Sequence, residues 1–265
     1  MKRSLLLILI CLLLSGCKAK NTIDDKTIII AASSSPHAEI LEKTRSFIES
    51  RGYSLVVRVF GDYIIPNKVT DSGEVDANFF QHLPYLTNFN EKNKTNLVSV
   101  LKVHFEPLGL YQGKRSSLQD LTNAKIAIAN DDSNGARGLW LLEEAGIIKL
   151  DHSKGLNVTK KDIIENKYNV IIIELEAAVI PSQLVDLDFA VINGNYALEA
   201  KIPASKVLLQ ESKESESASL YANIIAVRKG NENKEAITLL VEALMQVEVS
   251  DFINDTYHGV VVPLN

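Results

Sequence analysis

Arg137 follows a run of small and polar residues, Asn130-Asp131-Asp132-Ser133-Asn134-Gly135-Ala136, which itself follows the apolar stretch Ile126-Ala127-Ile128-Ala129. A strand, a polar loop and a helix start in that order present backbone N–H groups and the positive end of a helix dipole, and both favour an anion. A guanidinium one or two residues inside the helix adds a bidentate clamp for a carboxylate. The same arginine could instead pair at the surface with Asp131 or Asp132. A second group lies in Gly73–Leu86, Gly-Glu-Val-Asp-Ala-Asn-Phe-Phe-Gln-His-Leu-Pro-Tyr-Leu, where Phe79, Phe80, Gln81, His82 and Tyr85 crowd together, with Tyr63 upstream. Rings beside an amide and an imidazole suit a pocket that wraps an apolar side chain and offers a few placed hydrogen bonds. In an extended chain Phe79 and Phe80 face opposite ways, so one enters the core and the other is free to line a pocket. His82 shares the side of Phe80 and reads as a hydrogen-bonding group. Asn193 and Asn223 carry amides that both donate and accept, as a zwitterionic amino acid requires; turn capping for Asn193 and a plain strand role for Asn223 are the alternatives.

Chemistry of other kinds finds little support. His37, His82, His104, His152 and His258 never fall into His-x-His or His-Glu-x-x-His spacing, so no metal site is expected, and no cofactor motif such as a Walker loop or Gly-x-Gly-x-x-Gly occurs. There is no Gly-x-Ser-x-Gly elbow. The chain carries 28 Lys and Arg against 33 Asp and Glu without basic clusters, which argues against a nucleic-acid partner.

The elements that must hold these groups follow α/β grammar. Thr27–Ala32 reads as a buried strand, Ser33–Pro36 as a loop with Ser35 as the helix N-cap, and Ile40, Leu41, Phe47 and Ile48 as one helix stripe ending near Gly52. Ser54–Phe60 returns as a strand, completing a βαβ unit whose ligands gather at the strands' carboxyl ends. A helix opened by Gly61–Asn67 and reaching roughly to Ser72, a helical Leu86–Asn90 and a strand Leu97–Phe105 follow, and the first crossing into a second domain is expected at Gln112–Ser117. There the pattern begins again, with strand Lys125–Ala129, the polar loop and a helix Ala136–Ala145. Further strands are expected at Val170–Leu175, Asp188–Ile192 and Tyr221–Val227. Helices are expected at Thr159–Asn166, Ile180–Val185, Asn195–Ala200 and Glu235–Val247. The polar segment Gln210–Ser219 reads as a surface connection back to the first domain. The fold class is therefore α/β, two similar lobes joined by a double crossover hinge, with the ligand cleft between them. Lobe 1 spans 27–111 and 220–265, and lobe 2 spans 112–219; closure around a ligand is the usual behaviour of such a hinge.

At the N-terminus Lys2 and Arg3 precede the apolar run Leu5–Leu14, about half the ~20 residues a membrane-spanning helix needs. That is a signal-peptide layout covering 1–16, followed by a tether over 17–26. Leu14-Ser15-Gly16-Cys17 resembles the lipobox of bacterial lipoproteins, in which cleavage leaves the cysteine as an acylated N-terminus. Several acyl chains, palmitate among them, hold a protein stably on a membrane where one chain does not. Cleavage at that point also removes Cys11, so no intrachain disulfide is expected.

Five segments together carry a broader resemblance: Phe60–Asn67, Asp76–Leu86, Asn130-Asp131, Glu174–Ala177 and Ala190–Asn193. In order and spacing they resemble the methionine-binding lipoproteins of the MetQ/NlpA family, over essentially the whole mature chain. The resemblance implies a type II, periplasmic-binding-protein-like receptor in the cell envelope. It would be a monomer, lipid-anchored and facing outside the cytoplasm, which hands L-methionine to the permease and ATPase of an ABC importer and catalyses nothing. It also implies that Tyr63 and Phe80 flank the thioether with His82 and Tyr85 in the same wall, that Arg137 binds the carboxylate, and that Asn193 and Asn223 hold the polar end. Polarizable sulfur packs well on aromatic rings, at ~0.3–1.5 kcal/mol per contact. One departure stands out: similar proteins read Asn-Asp-Pro-Thr-Asn where this chain has Asn130-Asp131-Asp132-Ser133-Asn134. Losing the proline is expected to loosen the loop, and Asp132 to bring negative charge near the carboxylate site. A methionine-containing dipeptide or another apolar amino acid is the alternative ligand; an exported enzyme using His82, or an adhesin, is the more distant alternative function.

Overall fold

β-branched runs bounded by polar loops form the parallel strands. A computed structural model describes residues 26–214 and 216–264. Strand β1 (Thr27–Ala32) pairs in parallel with β2 (Ser54–Val59) on one side and β3 (Ala77–His82) on the other. Helix α1 (Glu39–Ser50) makes the first crossover and buries Ile40, Leu41 and Ile48. Helix α2 (Ile65–Ser72) ends where Gly73 turns left-handed at φ 82°, a conformation that costs glycine nothing. Helix α3 (Leu83–Asn93) leads to β4 (Leu97–Phe105).

The second lobe repeats this plan. Its strands are β5 (Gly109–Gln112), β6 (Lys125–Ala129), the short ladder β7 (Lys149–Leu150) and β8 (Ile163–Glu165), β9 (Ile171–Leu175), β10 (Phe189–Ile192) and β11 (Val207–Gln210). Helices α4 (Asp132–Glu144), α5 (Ile180–Gln183) and α6 (Gly194–Glu199) cover them, and α7 (Glu216–Leu220) lies on the return to β12 (Asn223–Arg228). Helices α8 (Glu235–Leu244) and α9 (Val247–Tyr257) and strand β13 (Val262–Pro263) finish the first lobe.

Strand order runs β13-β4-β12-β3-β1-β2 in one sheet and β11-β5-β10-β6-β9 in the other. Each sheet therefore accepts one antiparallel strand delivered across the hinge: β12 between β3 and β4, β5 between β10 and β11. This exchange makes the architecture two α/β lobes with two crossovers. It also corrects the first boundary. β5 pairs entirely within the second sheet, so the crossing falls between Phe105 and Gly109, not at Gln112. Each lobe has its own core, one around Ile28, Phe79, Ile225 and Leu240, the other around Leu110, Ile126, Leu139 and Phe189.

Three local expectations change. Ser35 is not a helix cap: it is extended (φ −128°, ψ 138°) in the turn Ser34–Ala38, and the α-helix begins only at Glu39. Thr159 and Asp162 do form a reciprocal capping box, but the turn they cap stops after Asp162 because Ile163-Ile164 joins β8 instead. The expected helix Glu235–Val247 is two helices, since Gln246 adopts an extended backbone and starts α9, which buries Val249, Ile253 and Tyr257 in the first core. Among the described residues no helix is long and apolar enough to cross a membrane. The signal segment and Cys17 lie outside the described residues.

Candidate ligand-binding site

Strand β3 lies between β1 and β12, and all six of its residues are buried. Phe79 enters the core and Phe80 turns into the cleft. The ladder with β12 slips at this point: Ile225 pairs with Phe79 and Ile224 with Gln81, leaving Phe80 without a partner. Such a bulge re-aims side chains next to functional sites, and here Phe80, Gln81 and His82 all reach the cavity wall in succession. Gln81 is locked from behind by Asn67 and Asn78. His82 caps α3, its Nδ1 accepting the Tyr85 N–H at 3.2 Å. Nε2 therefore carries the proton and donates to Asn134 Oδ1 at 3.1 Å. Burial, reinforced by the Arg137 charge, pulls the His82 pKa down to about 3, so the ring stays neutral.

The opposing wall comes from the amino ends of α4 and α6, where β6 and β10 finish. The Asp131 carboxylate caps α4 by accepting the Asn134 N–H at 2.9 Å and the Asn134 side-chain amide at 2.9 and 3.0 Å. Asn134 Oδ1 in turn accepts Asn193 Nδ2 at 2.8 Å as well as the His82 proton. The loop is thus tied down without a proline. Asp132 points away from the cavity and pairs with Lys92 of the first lobe at 2.7 Å, so the expected charge near the carboxylate site is not there.

Arg137 is the sixth residue of α4, beyond the reach of the free helix N–H groups, and the dipole argument does not apply to it. It is 4% exposed and pairs with neither Asp131 nor Asp132. Its Nε donates to Glu211 Oε1 at 2.8 Å, and its Nη2 donates to Glu211 Oε2 at 2.5 Å and to the Glu106 carbonyl at 2.9 Å. The guanidinium carbon sits 4.4 Å from the Tyr221 ring centre. Nη1 is the one guanidinium nitrogen outside these bonds.

Tyr63, Phe80, His82, Tyr85, Arg137, Asn193 and Asn223 all line one pocket between the lobes. Its apolar side is the ring cluster Tyr63, Phe80 and Tyr85, with centroids 5.6 to 6.0 Å apart. The lobes meet across it. Tyr63 donates its hydroxyl to Asn195 Oδ1 at 2.5 Å and packs 4.8 Å from Tyr196, whose own hydroxyl reaches the Gly61 carbonyl at 3.3 Å.

Three lining groups escaped the sequence reading. Asn134 joins the two walls, as described. Asn195, which lines the same pocket, has a buried Nδ2 with no partner among the described residues, a donor available to a ligand. Glu106 is 5% exposed and is the lining's carboxylate. Burial raises its pKa, opposed by His37, by the Asn195 backbone N–H and by Arg137. Behind it, His104 Nε2 lies 2.8 Å and His37 Nε2 3.4 Å from Glu106 Oε1, while His37 Nε2 also meets Asn223 Oδ1 at 3.0 Å. These three side chains offer donor atoms within 4.8 Å of one another, a set that spacing along the chain did not reveal. Their short contacts are those of a proton-bearing network: neutral imidazoles donate to the carboxylate and the amide.

Gly194 is required by this packing. A Cβ there would lie 2.8 Å from Glu106 Cβ and 3.0 Å from Oε2. Gly194→Ala is expected to push the Glu106 carboxylate off its place and to weaken ligand binding roughly 10-fold, about 1.4 kcal/mol, with a cooperative melt retained. Unchanged affinity by calorimetry would remove Glu106 from the ligand's contacts.

Known proteins share this construction. The family model described as NlpA lipoprotein matches residues 28–265. The methionine-binding lipoprotein MetQ of Bacillus subtilis is 38% identical over 269 residues, 98% of this chain and 97% of that one. Among solved structures, a lipoprotein from Ruminococcus gnavus superposes with a TM-score of 0.89 at 50% identity, covering 91% of this chain and all of the other. A nutrient binding protein from Burkholderia cenocepacia, bound to methionine, superposes with a TM-score of 0.84 at 38% identity over 90% of this chain and 100% of that one. With its two-lobed fold and a family match running from the first strand to the C-terminus, the chain belongs to the NlpA lipoprotein family.

Proposed function

We propose that this protein is a lipid-anchored receptor that captures methionine between its lobes and delivers it to the permease and ATPase of an ABC importer. The observation that carries the reading is the division of the cavity: aromatic rings at one end, and at the other both signs of charge, placed for a zwitterion. Tyr63, Phe80 and Tyr85 take the thioether side chain. Glu106 faces the ammonium group with Asn223 beside it, and Arg137 Nη1 with Asn195 Nδ2 receives the carboxylate. His82 and Asn193 act one step back, through Asn134, by holding the two walls in register.

The Tyr63–Asn195 contact that closes the cleft favours a free amino acid over the longer dipeptide. The protein is not an enzyme on this reading. The cavity wall offers no Ser, Thr, Cys or Lys nucleophile, and both ring nitrogens of His82 are engaged. Cys17 is the acylated anchor, the receptor faces outside the cytoplasm, and it acts as a monomer.

Mass spectrometry of the small molecule released on denaturing the purified protein, with calorimetry of L-methionine on the stripped protein, tests the ligand. Release of methionine and saturable heat are expected; absence of both at millimolar methionine would overturn the assignment. In the same preparation, Cys17→Ser is expected to leave the membrane fraction, and retention there would overturn the anchor.

A further inference from the structure

Glu211 touches no ligand position, yet it organises the residue that does. We infer that Glu211 is the positioning residue of the site: it holds the Arg137 guanidinium against both hinge crossovers so that only Nη1 is offered to the ligand carboxylate. This rests on the reading that Arg137 binds the carboxylate of an amino acid.

Two crossovers join the lobes, 106–108 between β4 and β5 and 211–222 between β11 and β12. Glu211 opens the second. Its backbone N–H donates to the Leu108 carbonyl at 3.0 Å, and its Oε2 accepts the Leu108 N–H at 2.9 Å, so it stitches one crossover to the other. The same carboxylate takes two of the three guanidinium nitrogens in a fork geometry, at 8% exposure. The arginine's remaining bond, Nη2 to the Glu106 carbonyl, also lands on a crossover, and Tyr221, over whose ring it lies, precedes β12 on the other. The Arg137 side chain, carried by α4 of the second lobe, is thus tied at its tip to both crossovers.

Arg137 and Glu211 also line a second groove together with Tyr221. Without Glu211 a buried guanidinium would lack the carboxylate that holds it in place, and Nη1 would no longer be kept for the ligand.

The test is a double-mutant cycle on the full-length protein by calorimetry, with L-methionine and with methioninol, which lacks the carboxylate. Glu211→Gln is expected to lower methionine affinity at least about 10-fold while leaving methioninol binding unchanged, and Glu211→Asp, which keeps the charge, is expected to recover part of the loss. The double variant Arg137→Ala/Glu211→Gln is expected to bind methionine no more weakly than Arg137→Ala alone. Equal losses for both ligands, or additive losses in the double variant, would show a merely structural residue and overturn the inference. Should Glu211→Gln fail to melt cooperatively, Glu211→Asp decides by the same ratio of methionine to methioninol affinity. A wild-type protein that ignores methionine overturns the proposed function along with this role; a wild-type protein that binds it while both Glu211 variants bind equally well overturns this role alone.

Discussion

Arg137→Ala is expected to weaken methionine binding by roughly 100-fold or more, since truncating one member of a buried, hydrogen-bonded charge pair costs about 2–5 kcal/mol. Two losses combine in that figure. The ligand carboxylate loses Nη1, and Glu211 is left in the hinge as a buried carboxylate with only the Leu108 N–H for company. The folded state should therefore suffer as well, by roughly 3 kcal/mol. Arg137→Lys is expected to rescue little, because one ammonium cannot bind Glu211 through two parallel N–H groups, reach the Glu106 carbonyl and still face the cavity. Calorimetry decides the first claim and a thermal melt the second. Methionine affinity within threefold of wild type would refute the carboxylate assignment.

Acid is expected to destabilise this protein before its ordinary carboxylates titrate. Burial depresses His37 from the ordinary 6.5 to about 4, and His82 and His104 to about 3. Below pH 6.5 the unfolded chain protonates all three rings, whereas the folded protein stays neutral at these sites down to pH 4 or 3. The unfolded state then binds up to three more protons, so stability is fully present above pH 6.5 and is lost as pH falls. Each proton is worth about 1.4 kcal/mol per pH unit. Glu106 acts with the opposite sign: its raised pKa keeps a proton on the folded protein over a window where the unfolded chain has released it, which offsets up to one of the three. The three histidines together give a slope that approaches roughly 4 kcal/mol per pH unit below 6.5, reduced wherever Glu106 holds its proton. Over the roughly 1.5 units from pH 6.5 to 5 the three histidines remove at most about 6 kcal/mol, a large share of a typical total of about 5–15 kcal/mol, so a marked loss of stability by pH 5 is expected. Urea melts at half-unit intervals from pH 7.5 to 5 measure it, and a flat profile would mean that these histidines are not held neutral in the fold.

Much of the framework was legible because it rests on local patterns. Short β-branched runs became the parallel strands, and the repeat of strand, polar loop and helix at Lys125–Glu144 announced a second lobe built like the first. Patterns of that kind hold over a few residues, so they locate elements but not their neighbours. That is why β5 was assigned to the wrong lobe. Nothing within Gly109–Gln112 says that it will pair with β10 and β11 across the hinge. Helix limits near Gln246 and Ile163 shifted for a related reason, since packing and strand pairing overrode the local preference.

By itself the sequence determined the lobe repeat and most residue types of the cavity wall, because each is written in contiguous residues; the segment Gln210–Ser219, which reads as a surface connection, instead ends strand β11 and buries Glu211 and Ala218. Only the tertiary structure decided how the wall works. The bulge at Phe80, which aims three successive side chains into the cleft, depends on the register of β12, more than 140 residues away. The cluster of Glu106 with His37 and His104 joins the end of β4 to the turn before α1, and its histidines stay neutral because the core around them excludes water. Arg137 stood out in the sequence by its place after a strand and a polar loop. Its partner did not, because Glu211 lies 74 residues further on and meets it only where the two crossovers come together.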